Sequence, residues 1–336
     1  MKALIFRDTG EPKSVLELAE IPTPPLAPGE ALVRVLLSPI NASDLHMVRG
    51  RYGYQPELPA SPGIEAVGVV EGLGPGAQGP AVGSRVIFIH TWNTWREQIV
   101  CPVDKLVPVP DGLDDAAAAA SYINPLTAWA LTISSHKLKE GDWLLQTAAA
   151  SSVGKFVLQL AQQRRFKTIN VIRRREQESI IRKLGGDEVI CTADEDLRSR
   201  LQELTAGKGI ERAIDCVAGD LGAEIARNLA PGGTMLVYGA LSSHRQTDPA
   251  KFVMPLFAPR LIYSTATVRG WWLPRWVPSQ PLTEIRAATS DLLTMLSKGV
   301  LTPPASLRYP IKNFQEAISL ADGDAGQEKV LLDFSD

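Results

Sequence analysis

The chain has 336 residues, a formal net charge of −2, 45% hydrophobic and 21% charged residues. That length allows two domains, and the apolar fraction is enough for a sizeable core. A near-neutral balance excludes a global field that recruits nucleic acid or an acidic membrane, and no apolar run is long enough to span a bilayer.

The N-terminal apolar stretch is cut short by Arg7 and Asp8, so it reads as a first strand rather than a signal peptide. Strand-like segments follow at 31–37, 66–70 and 85–89, separated by Pro and Gly clusters. Ala116–Ala120 reads as the start of a helix. Proline marks the organisation: 15 of the 25 prolines lie in residues 1–125 and none in 126–230. The proline-free stretch alternates strands at 143–147, 168–172, 188–191, 212–217 and 234–238 with helices near 176–184, 194–204 and 221–229. A sixth strand is expected at 262–268. This pattern predicts an α/β fold with a doubly wound parallel sheet, which binds ligand beyond its strand C-termini. A Trp- and Pro-rich loop at 271–276 leads to a helix near 283–297 whose stripe is Ile285, Ala288, Leu292, Met295 and Leu296. The proline-bearing C-terminal segment is expected to return to the strand-rich first region. The expected domains are thus 1–123 with 270–336, and 124–269.

Residues 143–175 carry the most chemistry. A strand ends in the small residues Ala148-Ala-Ala-Ser151-Ser152, and a helix follows with Val153, Phe156, Val157, Leu160 and Ala161 on one stripe. Small residues let a pyrophosphate approach the backbone at a helix N-terminus, where unpaired N–H groups favour an anion. Ser151, Ser152, Val153 and Gly154 are therefore candidate phosphate contacts. The next strand ends in Arg173-Arg174-Arg175, with no carboxylate until Glu176. Arginine at that point suits a 2′-phosphate and an acid suits a bare ribose. The expected cofactor is NADP(H). Only Gly154 remains of the usual three glycines, so an ordinary α/β crossover with a solvated basic helix start is the alternative. Tyr238, Gly239 and Ala240 end another strand at the same edge of the sheet and are further cofactor candidates. His46, His90, His136 and His244 form no sequence cluster and receive no catalytic role. Cys101, Cys191 and Cys216 lack metal-ligand spacing, which suggests small buried residues in a reducing, cytoplasmic compartment.

Ser38-Pro-Ile-Asn41-Ala-Ser-Asp44, Pro62-Gly-Ile-Glu-Ala-Val-Gly68, Gly83-Ser-Arg-Val86 and the sheet region together resemble the medium-chain dehydrogenase/reductase superfamily. The resemblance implies a GroES-like strand-rich catalytic domain beside a Rossmann domain. Gly50-Arg-Tyr52-Gly53, Thr94-Trp95-Arg-Glu97, Ile123-Asn124-Pro-Leu-Thr127-Ala128 and Arg269–Trp276 are similar to its zinc-independent quinone oxidoreductase and 2-enoyl thioester reductase branch. Zinc-dependent members have Cys at the position of Asn41 and His at that of Ile64, so no metal is expected. The resemblance implies that Asn124 and Thr127 lie near the nicotinamide end of the cofactor. It also implies that Tyr52 is the acid and that Asn41 hydrogen-bonds near the reacting centre.

Hydride transfer without a metal needs hydrogen bonds to polarise a carbonyl, which suits an α,β-unsaturated thioester or ketone. Each candidate also has a plain alternative: Tyr52 as a packing residue, Asn41 as a turn cap, and Trp272 and Trp276 as core or dimer contacts rather than walls of an acyl pocket. Trp95 is a third pocket candidate. The expected activity is NADPH-dependent reduction of an enoyl thioester, with quinone reduction as the near alternative and non-catalytic NADPH binding as the distant one. A small-molecule substrate is expected, and neither nucleic acid nor membrane. A homodimer is expected because Ala266–Val268 looks like an apolar edge in need of cover.

Overall fold

The structure is a computed structural model that describes residues 1–243, 246, 248–323 and 328–335. The chain divides into two compact units, Met1–Leu126 with Val277–Asp336, and Thr127–Trp276.

The first unit holds a strand pair, β1 (Lys2–Phe6) and β2 (Leu16–Glu20), and a seven-stranded sheet. The sheet comprises β3 (Glu30–Pro39), β4 (Val67–Leu73), β5 (Arg85–Phe88), β6 (Gln98–Pro102), β7 (Leu106–Pro108), β14 (Ser306–Pro310) and β15 (Lys329–Asp333). Its order is β14-β15-β3-β4-β5-β7, and β6 also pairs with β3. Ala31, Val33, Val35 and Leu37 of β3 are buried at every second position, so one face of the strand enters the core. Antiparallel pairing of β15 with β3 sets Leu331 opposite Pro39, and Ile40 donates its N–H to the Val330 carbonyl at 2.9 Å. The same register places Lys329 opposite Asn41. A C-terminal strand thus completes the place where β3 ends.

The second unit is a six-stranded parallel sheet in the order β10-β9-β8-β11-β12-β13. Its strands are β8 (Trp143–Thr147), β9 (Lys167–Ile172), β10 (Glu188–Cys191), β11 (Ile210–Asp215), β12 (Leu229–Val237) and β13 (Thr267–Gly270). The order reverses direction between β8 and β11, the switch point at which doubly wound sheets bind ligands. Helix Ser152–Arg164 follows β8 and buries Gly154, Phe156, Val157, Leu158, Gln159, Leu160 and Ala161. Val153, expected on the buried stripe, is half-buried at the first turn.

The structure changes three expectations. The sixth strand is shorter: Ala258–Ser264 is a helix, Thr265 ends it at φ 51°, and β13 starts only at Thr267. Pro259 in the first turn pre-sets the helical φ, which overrides the strand-like apolar run. In helix Leu282–Ser297, Thr289 and Leu293 are buried as well, whereas Met295 is half-buried. The tryptophan-rich segment 271–276, expected with the strand-rich domain, groups with the parallel sheet. Trp271 donates its backbone N–H to the Val237 carbonyl and its indole N–H to Ser135 Oγ, which ties the segment to β12.

Candidate functional site

In the parallel-sheet unit, the turn after β8 shows why small residues stand there. Ala148 takes the left-handed conformation at φ 46°, which few residues other than glycine adopt cheaply. A Cβ on Gly154 would lie 2.4 Å from the Ala149 carbonyl oxygen, so only glycine lets the helix pack this closely on the turn. Ser151 caps the helix by accepting the Gly154 N–H at 3.2 Å. The Ser152 and Val153 N–H groups have no acceptor among the described residues and stand open at the helix N-terminus. At the end of β12 the Tyr238 hydroxyl is buried beside Cys216 and Ser151, without a hydrogen bond of good geometry among the described residues. Burial holds this phenol protonated, its pKa well above the ordinary value. Gly239 and Ala240 follow it, half-buried and exposed.

At the end of β11 the buried Asp215 carboxylate accepts from Thr147 Oγ1 at 2.6 Å, Val217 N at 2.9 Å and Ala218 N at 3.0 Å. Ala218 sits at φ 57° and ψ −149°, a conformation suited to glycine, and Asp215 pins it there. The three arginines after β9 are exposed but not equivalent. Arg175 is clasped by Glu178 at 3.0 Å, Asp194 at 2.9 Å and Glu195 at 3.0 Å. Arg174 pairs with Glu176 at 3.2 Å, and Arg173 has no ion pair among the described residues. An open anion site at the helix terminus and two cationic side chains at the end of β9 suit a phosphorylated dinucleotide. Thr127 is buried in helix Ile123–Trp129. Trp276 packs against Trp271 at 5.8 Å and Trp129 at 6.4 Å between ring centroids, and Trp272 is half-buried.

In the strand-rich unit, Tyr52 is half-buried, with its ring edge-on to Trp92 at 6.5 Å. Tyr54 stacks on the same indole at 4.2 Å, and His90 lies edge-on to it at 6.1 Å. Trp92, which the sequence reading passed over, is thus the centre of the aromatic group that holds Tyr52. Trp95 is a correction. It is fully buried and donates its indole N–H to the Pro39 carbonyl at 3.2 Å, which makes it part of the core.

Asn41 is far more constrained than a turn asparagine. Its backbone N–H donates to Asp44 Oδ2 at 2.8 Å at the start of helix Ala42–Val48. Its amide Nδ2 donates to Glu65 Oε1 at 2.9 Å, while Lys329 Nζ donates to its Oδ1. Glu65 Oε2 accepts from Ile123 N at 2.9 Å, which links the Asn41 turn to the segment bearing the half-buried Asn124. Gly63 makes the sharp approach to Glu65 possible: at φ 98°, a Cβ there would lie 2.3 Å from Thr94 Oγ1. Asp44, Glu65 and Lys329 are all buried. Burial pushes the Asp44 carboxyl up to about 7, and also raises Glu65 and lowers Lys329. Glu65 and Lys329 were missed by sequence reasoning. The available signal was a lysine opening an otherwise apolar strand, Lys329-Val-Leu-Leu332.

A catalytic metal does not fit this residue set. Asn41 already binds an ammonium through its carbonyl oxygen, and Ile64 offers no donor. Among the described residues no group of three His, Cys, Asp or Glu could hold a metal ion. His136 Nε2 lies 3.0 Å from the Ala213 carbonyl. His244 lies outside the described residues.

Two family descriptions match the chain: the alcohol dehydrogenase GroES-like domain over residues 27–111 and zinc-binding dehydrogenase over residues 152–290. The chain is 35% identical over 327 residues to the mitochondrial enoyl-acyl-carrier-protein reductase of Xenopus tropicalis, covering 94% of this chain and 91% of the relative. The chain belongs to the medium-chain dehydrogenase/reductase superfamily. It is an oxidoreductase of the zinc-independent branch, consistent with the donor set above. Among solved structures, a Bacillus thuringiensis protein described as an NADPH:quinone reductase superposes with TM-score 0.92 at 31% identity, covering 99% of this chain and 98% of the other. Escherichia coli quinone oxidoreductase complexed with NADPH superposes with TM-score 0.86 at 25% identity, covering 99% and 100%.

Proposed function

We propose that this enzyme uses NADPH to reduce the activated double bond of a 2-enoyl thioester. The identity to an enoyl thioester reductase along nearly the whole chain carries this reading. Ser152 and Val153 would meet the pyrophosphate with their free N–H groups, and Arg173 and Arg174 would take the 2′-phosphate. The bound cofactor supplies hydride to the β carbon. The protein's own task is to stabilise the charge that builds on the thioester oxygen and to deliver a proton to the α carbon. A neutral amide such as Asn41 can donate to that oxygen, and a phenol such as Tyr52 can donate to it or supply the proton.

Quinone reduction is the second reading, favoured by the close superposition on the Bacillus thuringiensis protein. NADPH oxidation with crotonyl-CoA, measured beside a simple quinone, separates the two, and a response to quinone alone would reject the first. Tyr52→Phe should lower enoyl turnover by roughly 100-fold, within the range typical of general-acid catalysis. Unchanged turnover removes Tyr52 from the chemistry.

The reading includes a homodimer. β13 is an edge strand of the parallel sheet, and Phe252, Val253, Leu256, Phe257, Ile262 and Tyr263 near it in sequence are exposed. An apolar group of this kind beside an unpaired edge suits a second copy of the chain. Light scattering should give twice the chain mass, and Ile262→Glu with Tyr263→Glu should give the monomer; a wild-type monomer at micromolar concentration rejects the dimer. No helix among the described residues is long and apolar enough to cross a membrane. The free, buried Cys101, Cys191 and Cys216 suit a reducing compartment such as the cytoplasm.

A further inference from the structure

The backbone ladder between β8 and β11 ends at Gln146 and Ile214. One residue further on, side chains take over from it. Thr147 Oγ1 donates to Asp215 Oδ1 at 2.6 Å and accepts the Cys216 N–H at 3.1 Å. The last residue of β8 is thereby fastened to the last residue of β11, across the point where the sheet order reverses. That is where a doubly wound sheet receives its ligand. Thr147 leads directly into Ala148, the left-handed residue that opens the phosphate turn.

The same carboxylate governs the β11 side of the crevice. Its Oδ1 also accepts from Val217 N, and its Oδ2 accepts from Ala218 N. Ala218 stands at φ 57° and ψ −149°, a region that glycine alone occupies cheaply. Strain of this kind persists only where the surroundings over-determine it, and it clusters at ligand clamps. The 216–218 segment then holds the chain after β12: the Cys216 and Val217 carbonyls accept from Leu241 N and Ser242 N, each at 2.9 Å. Asp215 itself is fully buried. Helix Gly219–Arg227 closes on it at Gly222, where a Cβ would lie 2.5 Å from Oδ2. Burying a carboxylate is costly, and the three donors offset that cost only while all of them stay in place. Three segments at the ligand edge of the sheet are thus tied to one side chain.

We propose that Asp215 is a positioning residue for the cofactor: it holds the ends of β8 and β11 and the segment after β12 in the arrangement that receives NADPH, before NADPH arrives. It acts through Thr147 and Ala218. This rests on the reading that the dinucleotide lies across these strand ends.

The test is the NADPH dissociation constant from nicotinamide fluorescence, with the melting temperature of the cofactor-free protein measured alongside. Asp215→Asn keeps one oxygen for Thr147 and Val217 but turns an NH2 toward the Ala218 N–H, so it releases the strained segment. It should raise Kd roughly 10-fold, as expected when the receiving arrangement is populated about a tenth of the time. In an Ala218→Gly background the same change should raise Kd by less than about 3-fold, because glycine keeps that conformation unaided. Thr147→Val should also weaken binding, and Thr147→Ser, which keeps the hydroxyl, should restore it. A residue that only supports the fold would lower the melting temperature and leave the Kd of the folded protein unchanged, and that result overturns the inference. So does an equal rise in Kd with and without Ala218→Gly. If Asp215→Asn fails to fold, Thr147→Val against Thr147→Ser decides, and equal Kd values in those two overturn the inference. Ser152→Pro separates the inference from the reading beneath it, since proline fits the first helical position but removes one open N–H. Should Ser152→Pro leave NADPH binding unchanged, the reading falls and the inference with it. Should Ser152→Pro weaken binding while Asp215→Asn does not, only the inference falls.

Discussion

The two units build their candidate sites in opposite ways. The parallel sheet offers a phosphate site made mainly of backbone: open N–H groups at Ser152 and Val153, a turn narrowed by Gly154, and arginines standing in solvent. The strand-rich unit buries its charges and wires them together, with Asp44, Glu65 and Lys329 arranged around Asn41. A backbone site tolerates changes of side chain so long as its turn stays small. A buried charge cluster tolerates almost none, since removing one partner leaves another unpaired in a poorly screened interior. Substitutions in the first should therefore alter which cofactor binds, while substitutions in the second should alter turnover and stability.

The largest effect that sharpens this contrast is expected at the arginines. Arg173 and Arg174 together should supply most of the preference for NADPH over NADH. Arg175 spends its guanidinium on Glu178, Asp194 and Glu195. The double variant Arg173→Ala/Arg174→Ala should cut the NADPH/NADH ratio of kcat/KM by about 100-fold, the scale for charge-assisted hydrogen bonds to a phosphate. Arg175→Ala should change that ratio little. A loss concentrated in Arg175→Ala would show that the acidic ring releases this side chain to the cofactor, and the expected division of roles would fail.

The same contrast explains what the sequence reveals. The phosphate site is local: strand, turn, helix and basic strand end fall within residues 143–175, so spacing and residue size announce it. The buried cluster joins Asn41, Glu65 and Lys329, far apart in the chain, and no local period connects them. Only the pairing of β15 with β3 brings the lysine to the asparagine. Trp95 misled for a related reason. Its neighbours Thr94 and Arg96 gave no sign that the indole faces Pro39 in the core. Ile262–Ser264 misled because an apolar run reads as strand until Pro259 starts a helix.

Asp44 gives the smallest of these effects and the most direct check on the buried cluster. Burial raises its carboxyl from 3.8 to about 7 in the fold, against the opposing pull of the Asn41 backbone N–H and of Lys329. A group whose pKa is raised by folding favours the folded state while it is protonated. That contribution is complete below about pH 4 and is lost as pH rises through 7. Asp44→Asn keeps an oxygen to accept the Asn41 N–H and removes the titration. Glu65 is also raised and faces the same lysine, so it supplies a background slope in both proteins. The variant should gain stability over the wild type as pH rises from 5 to 8, by about 2 kcal/mol, since each pKa unit is worth roughly 1.4 kcal/mol. Thermal melts should then show the difference in Tm widening by several degrees across that range. An offset that is the same at both pH values would mean that Asp44 is ionised in the fold at pH 5.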